Sequence, residues 1–127
     1  MASETILVLC PDPSDQLDNG RWRRILEGMR ASLERFDIGI EVMPWTTPTH
    51  LLPQPAKLTL PLLAWGYQRA HSRWVKTCDE WACADNFVEN PPSVLKWNSD
   101  KRYLTELQRS GAPVVPSFYF DNLSDNA

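Results

Sequence analysis

Short apolar runs alternate along this chain with stretches in which apolar residues recur every three or four positions. Thr5-Ile-Leu-Val-Leu-Cys10 is a nearly unbroken apolar run closed by Pro11-Asp12-Pro13. Such a run predicts a central strand covered on both faces, and Pro11 ends it because proline cannot donate to a sheet ladder. Between residues 21 and 36, Trp22, Ile25, Leu26, Met29, Leu33 and Phe36 share one helical stripe, with most of the charged residues off it. Asp18 or Asn19 is the expected N-cap. Ile38 to Trp45 alternates as a second strand, and the proline- and threonine-rich residues 46–57 predict a loop.

Leu58 to Trp65 predicts a third strand, which Pro61 either confines to an edge or splits with a bulge. Tyr67, His71, Trp74, Cys78 and Trp81 form a second helical stripe running to about residue 84. Phe87 to Asn90 reads as a short strand, and Ser93 as the cap of a short helix through Trp97. Asn98 or Ser99 then caps a helix over 100–110, with Tyr103, Leu104 and Leu107 buried and Gly111 as its stop. Val114 to Phe120 is a last extended segment. Strands alternating with amphipathic helices predict an α/β fold with a mostly parallel sheet and helices on both faces.

Composition narrows the function classes. A length of 127 residues suits one domain with a real core. The net charge of −3 gives no global reason to expect nucleic acid or an anionic membrane as partner. No apolar run reaches membrane-spanning length, and Met1 to Thr5 lack the features of a signal peptide. Three cysteines, Cys10, Cys78 and Cys83, suggest no disulfide framework and fit a reducing cytoplasm.

Candidate chemistry lies at strand and helix ends. The chain has five scattered glycines and neither a dinucleotide fingerprint nor a P-loop, so it builds no phosphate cradle of that kind. No serine sits in a nucleophile elbow. His71 and Cys78 share a stripe, but a buried thiol among aromatic rings explains them better than a zinc site. Trp22, Trp74 and Trp81 read as core. Ligands of open α/β sheets bind beyond the carboxyl ends of the strands. That edge should hold Asp12 and Asp15 after the first strand and Trp65 and Tyr67 after the third, a rim suited to a cationic or amine-bearing substrate. Lys101, at the start of the expected last helix, could serve a phosphate as a point charge.

The stretch Asn90-Pro-Pro-Ser-Val-Leu-Lys-Trp-Asn-Ser-Asp-Lys-Arg-Tyr-Leu-Thr-Glu-Leu-Gln-Arg-Ser-Gly-Ala-Pro-Val-Val-Pro-Ser117 resembles the end of the pre-ATP-grasp domain of glutathione-synthetase-like and RimK-like ATP-grasp ligases. Those proteins commonly show N-P-P, then W-N-x-D-K-R-Y-L, then G-x-P-V-V-P. The resemblance implies a three-layer, Rossmann-like pre-ATP-grasp domain over 1–112. It makes 113–127 a linker and the start of a truncated ATP-grasp domain. It implies the substrate-side part of a cytoplasmic ATP-dependent carboxylate–amine ligase, inactive alone. Lys101 would contact a nucleotide phosphate. ATP and Mg2+ would belong to the parent enzyme, with none bound by this chain alone. The partners would be the absent C-terminal domain and a small carboxylate or amine substrate, with a homodimer also open. Relatives often carry R-S-T-W-D-Y after the third strand, where this chain has Leu62-Leu-Ala-Trp-Gly-Tyr67, so the contacts of that arginine and aspartate do not transfer. The alternative is a free-standing α/β module that binds a small molecule or a protein through the same rim. A flavodoxin-like or receiver-like domain fits less well, because Cys10-Pro11-Asp12 supplies no acidic pair at the first strand's end.

Overall fold

A computed structural model describes residues 2–53, 58–84 and 88–120. The chain is α/β. Strand β1 (Glu4–Cys10) is central in a three-stranded parallel sheet, with β2 (Ile38–Pro44) on one side and β3 (Thr59–Leu60) on the other. Helix α1 (Trp22–Glu34) joins β1 to β2, and α2 (His71–Cys83), α3 (Pro92–Ser99) and α4 (Tyr103–Arg109) follow β3.

The unbroken apolar run of β1 is explained by its two covered faces. Leu7 and Leu9 point into one core with Trp45, Trp74, Cys78 and Trp81, which brings in α2. Val8 and Cys10 point into a second core with Trp22, Leu26, Ile40 and Leu63, which brings in α1. Alternate residues of one strand therefore serve opposite faces of the sheet. On the expected stripe of α1, Trp22 and Leu26 are buried and Met29 and Leu33 pack against them, whereas Ile25 and Phe36 are exposed. Their places at the margin of the stripe leave them beyond the width of a small sheet.

Several expected boundaries change. Neither Asp18 nor Asn19 caps α1; Arg21 takes the N-cap position without a side-chain bond. Asn19 Oδ1 instead accepts from Arg21 N, and Asp18 Oδ1 from Gly20 N, which winds the entry loop rather than the helix. The third strand is only two residues long. Pro61 starts a 3-10 turn over Pro61–Leu63, so Leu62 to Trp65 are not strand. Nor is β3 an edge throughout, because Thr59 makes a parallel bridge to Val88 and its carbonyl accepts from Glu89 N at 2.9 Å. Phe87, the start of the expected short strand, lies outside the described residues.

Around residues 92–110 one expected helix start is displaced. Ser93 caps nothing, and Pro92 opens α3 after Pro91. Ser99 ends α3 rather than capping the next helix, and α4 begins only at Tyr103, after Arg102. Tyr103, Leu104 and Leu107 are half-buried rather than core. The stop is as expected. Gly111 has φ +90°, with Ala112 N bonded to Leu107 O and Gly111 N to Gln108 O, each at 3.0 Å. That pair of bonds is a Schellman motif, which requires the left-handed residue. Val114 to Phe120 carries no regular secondary structure, and Val115, Phe118 and Phe120 are exposed.

Candidate functional site

The sheet order β2-β1-β3 means that the chain leaves β1 toward one side and later crosses to the other. The loops after β1 and β3 therefore diverge at their carboxyl ends, where open α/β sheets form a crevice. Two adjoining clefts occupy that place. One, of about 380 Å³, has walls from Leu17, Asp18, Arg21, Trp65 and Arg69. The other, of about 160 Å³, includes Asp12, Ser14, Trp45 and Arg73 in its walls. Asp15, Gly66 and Arg69 belong to both linings and form the partition between them.

The β1 loop is held by its own side chains. Asp12 Oδ1 accepts from Ser14 N at 2.8 Å and Ser14 Oγ at 2.7 Å, and Asp15 Oδ1 accepts from Leu17 N at 3.1 Å. Trp22 Nε1 donates to Asp18 Oδ2 at 3.0 Å, which ties the loop to α1. Successive Asx turns of this kind stiffen a loop that a helix or strand does not carry.

The β3 loop supplies the opposite charges. After Pro61–Leu63, a tight turn bonds Trp65 N to Leu63 O at 2.7 Å, and Gly66 takes φ +88°. A Cβ at Gly66 would overlap Asp15 Oδ2, so glycine is needed both for its dihedral and for the close approach of the β1 loop. A 3-10 turn over Tyr67–Ala70 then leads into α2 and presents Arg69 and Arg73 four residues apart. Arg69 grips Asp15 through two nitrogens, Nε to Oδ1 and Nη2 to Oδ2. Arg73 Nη1 reaches Asp12 Oδ2 at 3.3 Å.

These contacts set the ionisation of the site. The Arg69 hydrogen bond holds the Asp15 carboxyl below the usual range and raises Arg69. Desolvation pushes Asp12 up, but hydrogen bonds from Ser14, with Thr46 and the Arg73 charge, outweigh it and leave Asp12 lowered. Both acids are therefore anions across the physiological range.

The four expected rim residues fare differently. Asp12, Asp15 and Trp65 do line the clefts, and Trp65 is partly exposed. Tyr67 instead turns inward and stacks on Trp74, with centroids 4.7 Å apart. The two acids do not offer a bare negative patch, because arginines from the other loop already engage them. Arg69, Arg73 and Arg21 were not singled out from the sequence. The signal of Arg69 and Arg73 was faint: basic residues past a strand end, paired with acids more than fifty residues away.

Lys101 sits on the exposed turn between α3 and α4, not in the first turn of a helix. Its Nζ donates to Asn98 O at 3.3 Å and lies 5.5 Å from the Tyr103 ring. It lines neither cleft. The turn is fastened to the start of α2. Buried Ser99 donates through Oγ to Lys96 O at 2.7 Å, and its Oγ lies 3.0 Å from His71 Nε2. The single hydroxyl proton is used on Lys96, so His71 Nε2 is the donor in that second bond. His71 opens α2, the helix that also carries Arg73.

Cys78 is inert in the core, its thiol pushed up to about 11 by burial. Among the described residues no group of three or more His, Cys, Asp or Glu side chains is placed to hold a metal ion. No helix among them is long and apolar enough to cross a membrane. The chain matches no protein-family model, no curated protein and no solved structure.

Proposed function

We propose that this chain is the substrate-side α/β domain of an ATP-dependent ligase that joins a carboxylate to an amine, with the three-layer, Rossmann-like plan of pre-ATP-grasp domains. The observation that carries the reading is the His71–Ser99 hydrogen bond. It holds the Asp100-Lys101 turn against the start of the helix whose first turn supplies Arg73 to the strand-end clefts. A cation for a nucleotide phosphate and a crevice for a small substrate are then parts of one rigid unit.

The division of labour follows from what the residues fit. Lys101 offers one point charge, enough to hold a phosphate oxygen but not to build a nucleotide site. The adenine pocket and the carboxylates for Mg2+ would come from a companion ATP-grasp domain. The exposed Val115, Phe118 and Phe120 support such a companion, since apolar side chains grouped on one segment mark contact surfaces. Bound ATP and Mg2+ would supply phosphoryl transfer to the carboxylate. This chain's part would be to orient the substrate and to steady a phosphate at Lys101 Nζ. The setting would be cytoplasmic. The competing reading, a free-standing binding module, uses the same clefts and gives Lys101 no role.

Turnover distinguishes the two. The product of the complete gene is expected to release ADP only when both a carboxylic acid and an amine are supplied. Lys101→Ala should cut that rate by roughly a hundredfold, as loss of a transition-state charge contact does. Absence of ADP release with every acid–amine pair tried would favour the binding module, and full activity in Lys101→Ala would overturn the phosphate role given to Lys101.

A further inference from the structure

We infer that Arg69 is the carboxylate seat of the strand-end cleft, and that Asp15 is a resident occupant which an incoming ligand carboxylate displaces. Arg69 meets Asp15 side-on, Nε to one oxygen and Nη2 to the other. A guanidinium binds carboxylates and phosphates alike through that planar fork, and the occupant here is a carboxylate. The protein's own side chain thus displays the ligand class that the seat accepts.

Three observations make the seat an exchangeable one rather than a structural clamp. First, Asp15 has a second anchor, the bond from Leu17 N at 3.1 Å, so its carboxylate keeps a partner after leaving Arg69. Second, the pair stands between the two clefts, so parting it joins them into one space with Trp65 and Leu17 on the wall. Those two exposed apolar side chains would cover the non-polar part of a small carboxylic acid. Third, the neighbouring Arg73–Asp12 pair is independent, since Asp12 is held by Ser14 through N and Oγ and Arg73 also reaches Thr46 O at 3.4 Å. Opening one pair therefore leaves the loop attached by the other.

The inference extends the ligase reading by naming which residue receives the carboxylate, but its test needs no ATP. Propionate and inorganic phosphate are titrated into the isolated chain and followed by the Arg69 side-chain NMR signals. Removing the internal competitor with Asp15→Asn is expected to tighten propionate binding roughly tenfold, a change of about 1.4 kcal/mol. Phosphate should gain less, and Asp15→Asn combined with Arg69→Ala should lose propionate binding. Arg69→Lys, which keeps the charge but not the fork, should also lose most of it while leaving the amide spectrum of the folded core in place. Equal propionate affinity with and without Asp15, or no response of Arg69 in Asp15→Asn at saturating propionate, overturns the proposal. Loss of the seat with ADP release intact would sink this inference alone. A working seat without ADP release would sink the ligase reading alone.

Discussion

At residue scale, the site is governed by one glycine and two carboxylates. Gly66 lets the β3 loop close over Asp15, with φ +88° and no room for a Cβ. Gly66→Ala is expected to cost about 1–3 kcal/mol from the dihedral alone, and to push Asp15 away from Arg69. Chemical denaturation measures the first effect and the Arg69 side-chain signals the second. The carboxylates predict a pH dependence with a definite sign. Asp12 and Asp15 both titrate below the ordinary value of 3.8 in the folded chain. Their contribution to stability is thus fully present above that value and is lost as pH falls through the lowered folded values. Melting temperature should fall from about pH 4 downward, and the Asp12→Asn, Asp15→Asn double variant should show a shallower fall. Little of this was legible in the sequence. The acidic loop was visible, but its counter-charges lie beyond a proline turn, and no local pattern joins Asp15 to Arg69.

At the scale of elements, long periodic segments could be read and short ones could not. The β1 run and the stripes of α1 and α2 repeat often enough to fix their type, because many side chains agree on one face. β3 has two residues, and its partners rather than its own pattern make it a strand. The α3–α4 boundary misleads for a physical reason. Ser99 and Asn98 have cap chemistry, yet Ser99 is used inside the fold as acceptor for His71 and donor to Lys96. Ser99→Ala would strand the His71 N–H at a half-buried contact, with an expected loss of about 1–2 kcal/mol in unfolding free energy. Replacing Gly111 by Ala tests the other end of that unit. Nothing lies within 4 Å of the added Cβ, so only the φ of +90° is charged. The expected cost is about 1 kcal/mol, confined to α4 and visible as faster amide exchange there.

At the scale of the whole molecule, a small parallel sheet places the paired acids and arginines at one end. The β1 loop brings the acids, the segment after β3 and the first turn of α2 bring the arginines, and the His71–Ser99 bond ties the Lys101 turn to α2. The general rule about strand ends located this region from sequence, since Asp12, Asp15 and Trp65 all line it. The same rule could not foresee that Tyr67 would turn into the core to stack on Trp74, or that the acids would arrive already paired. A larger depression of about 540 Å³ lies elsewhere, between α1 and β2, with Glu27, Arg30 and Asp37 in its wall. It holds none of the strand-end loops, and Arg30 there is spent on the Ile40 carbonyl at 2.7 Å. The two locations give the central claim a direct test. Backbone amide shifts of the chain are recorded during titration with a panel of small amino acids and carboxylic acids. The expected result is a cluster of changes at residues 12–18 and 65–73, extending through His71 and Ser99 to Lys101. Changes confined to the α1–β2 depression, with the strand-end loops unmoved, would contradict it.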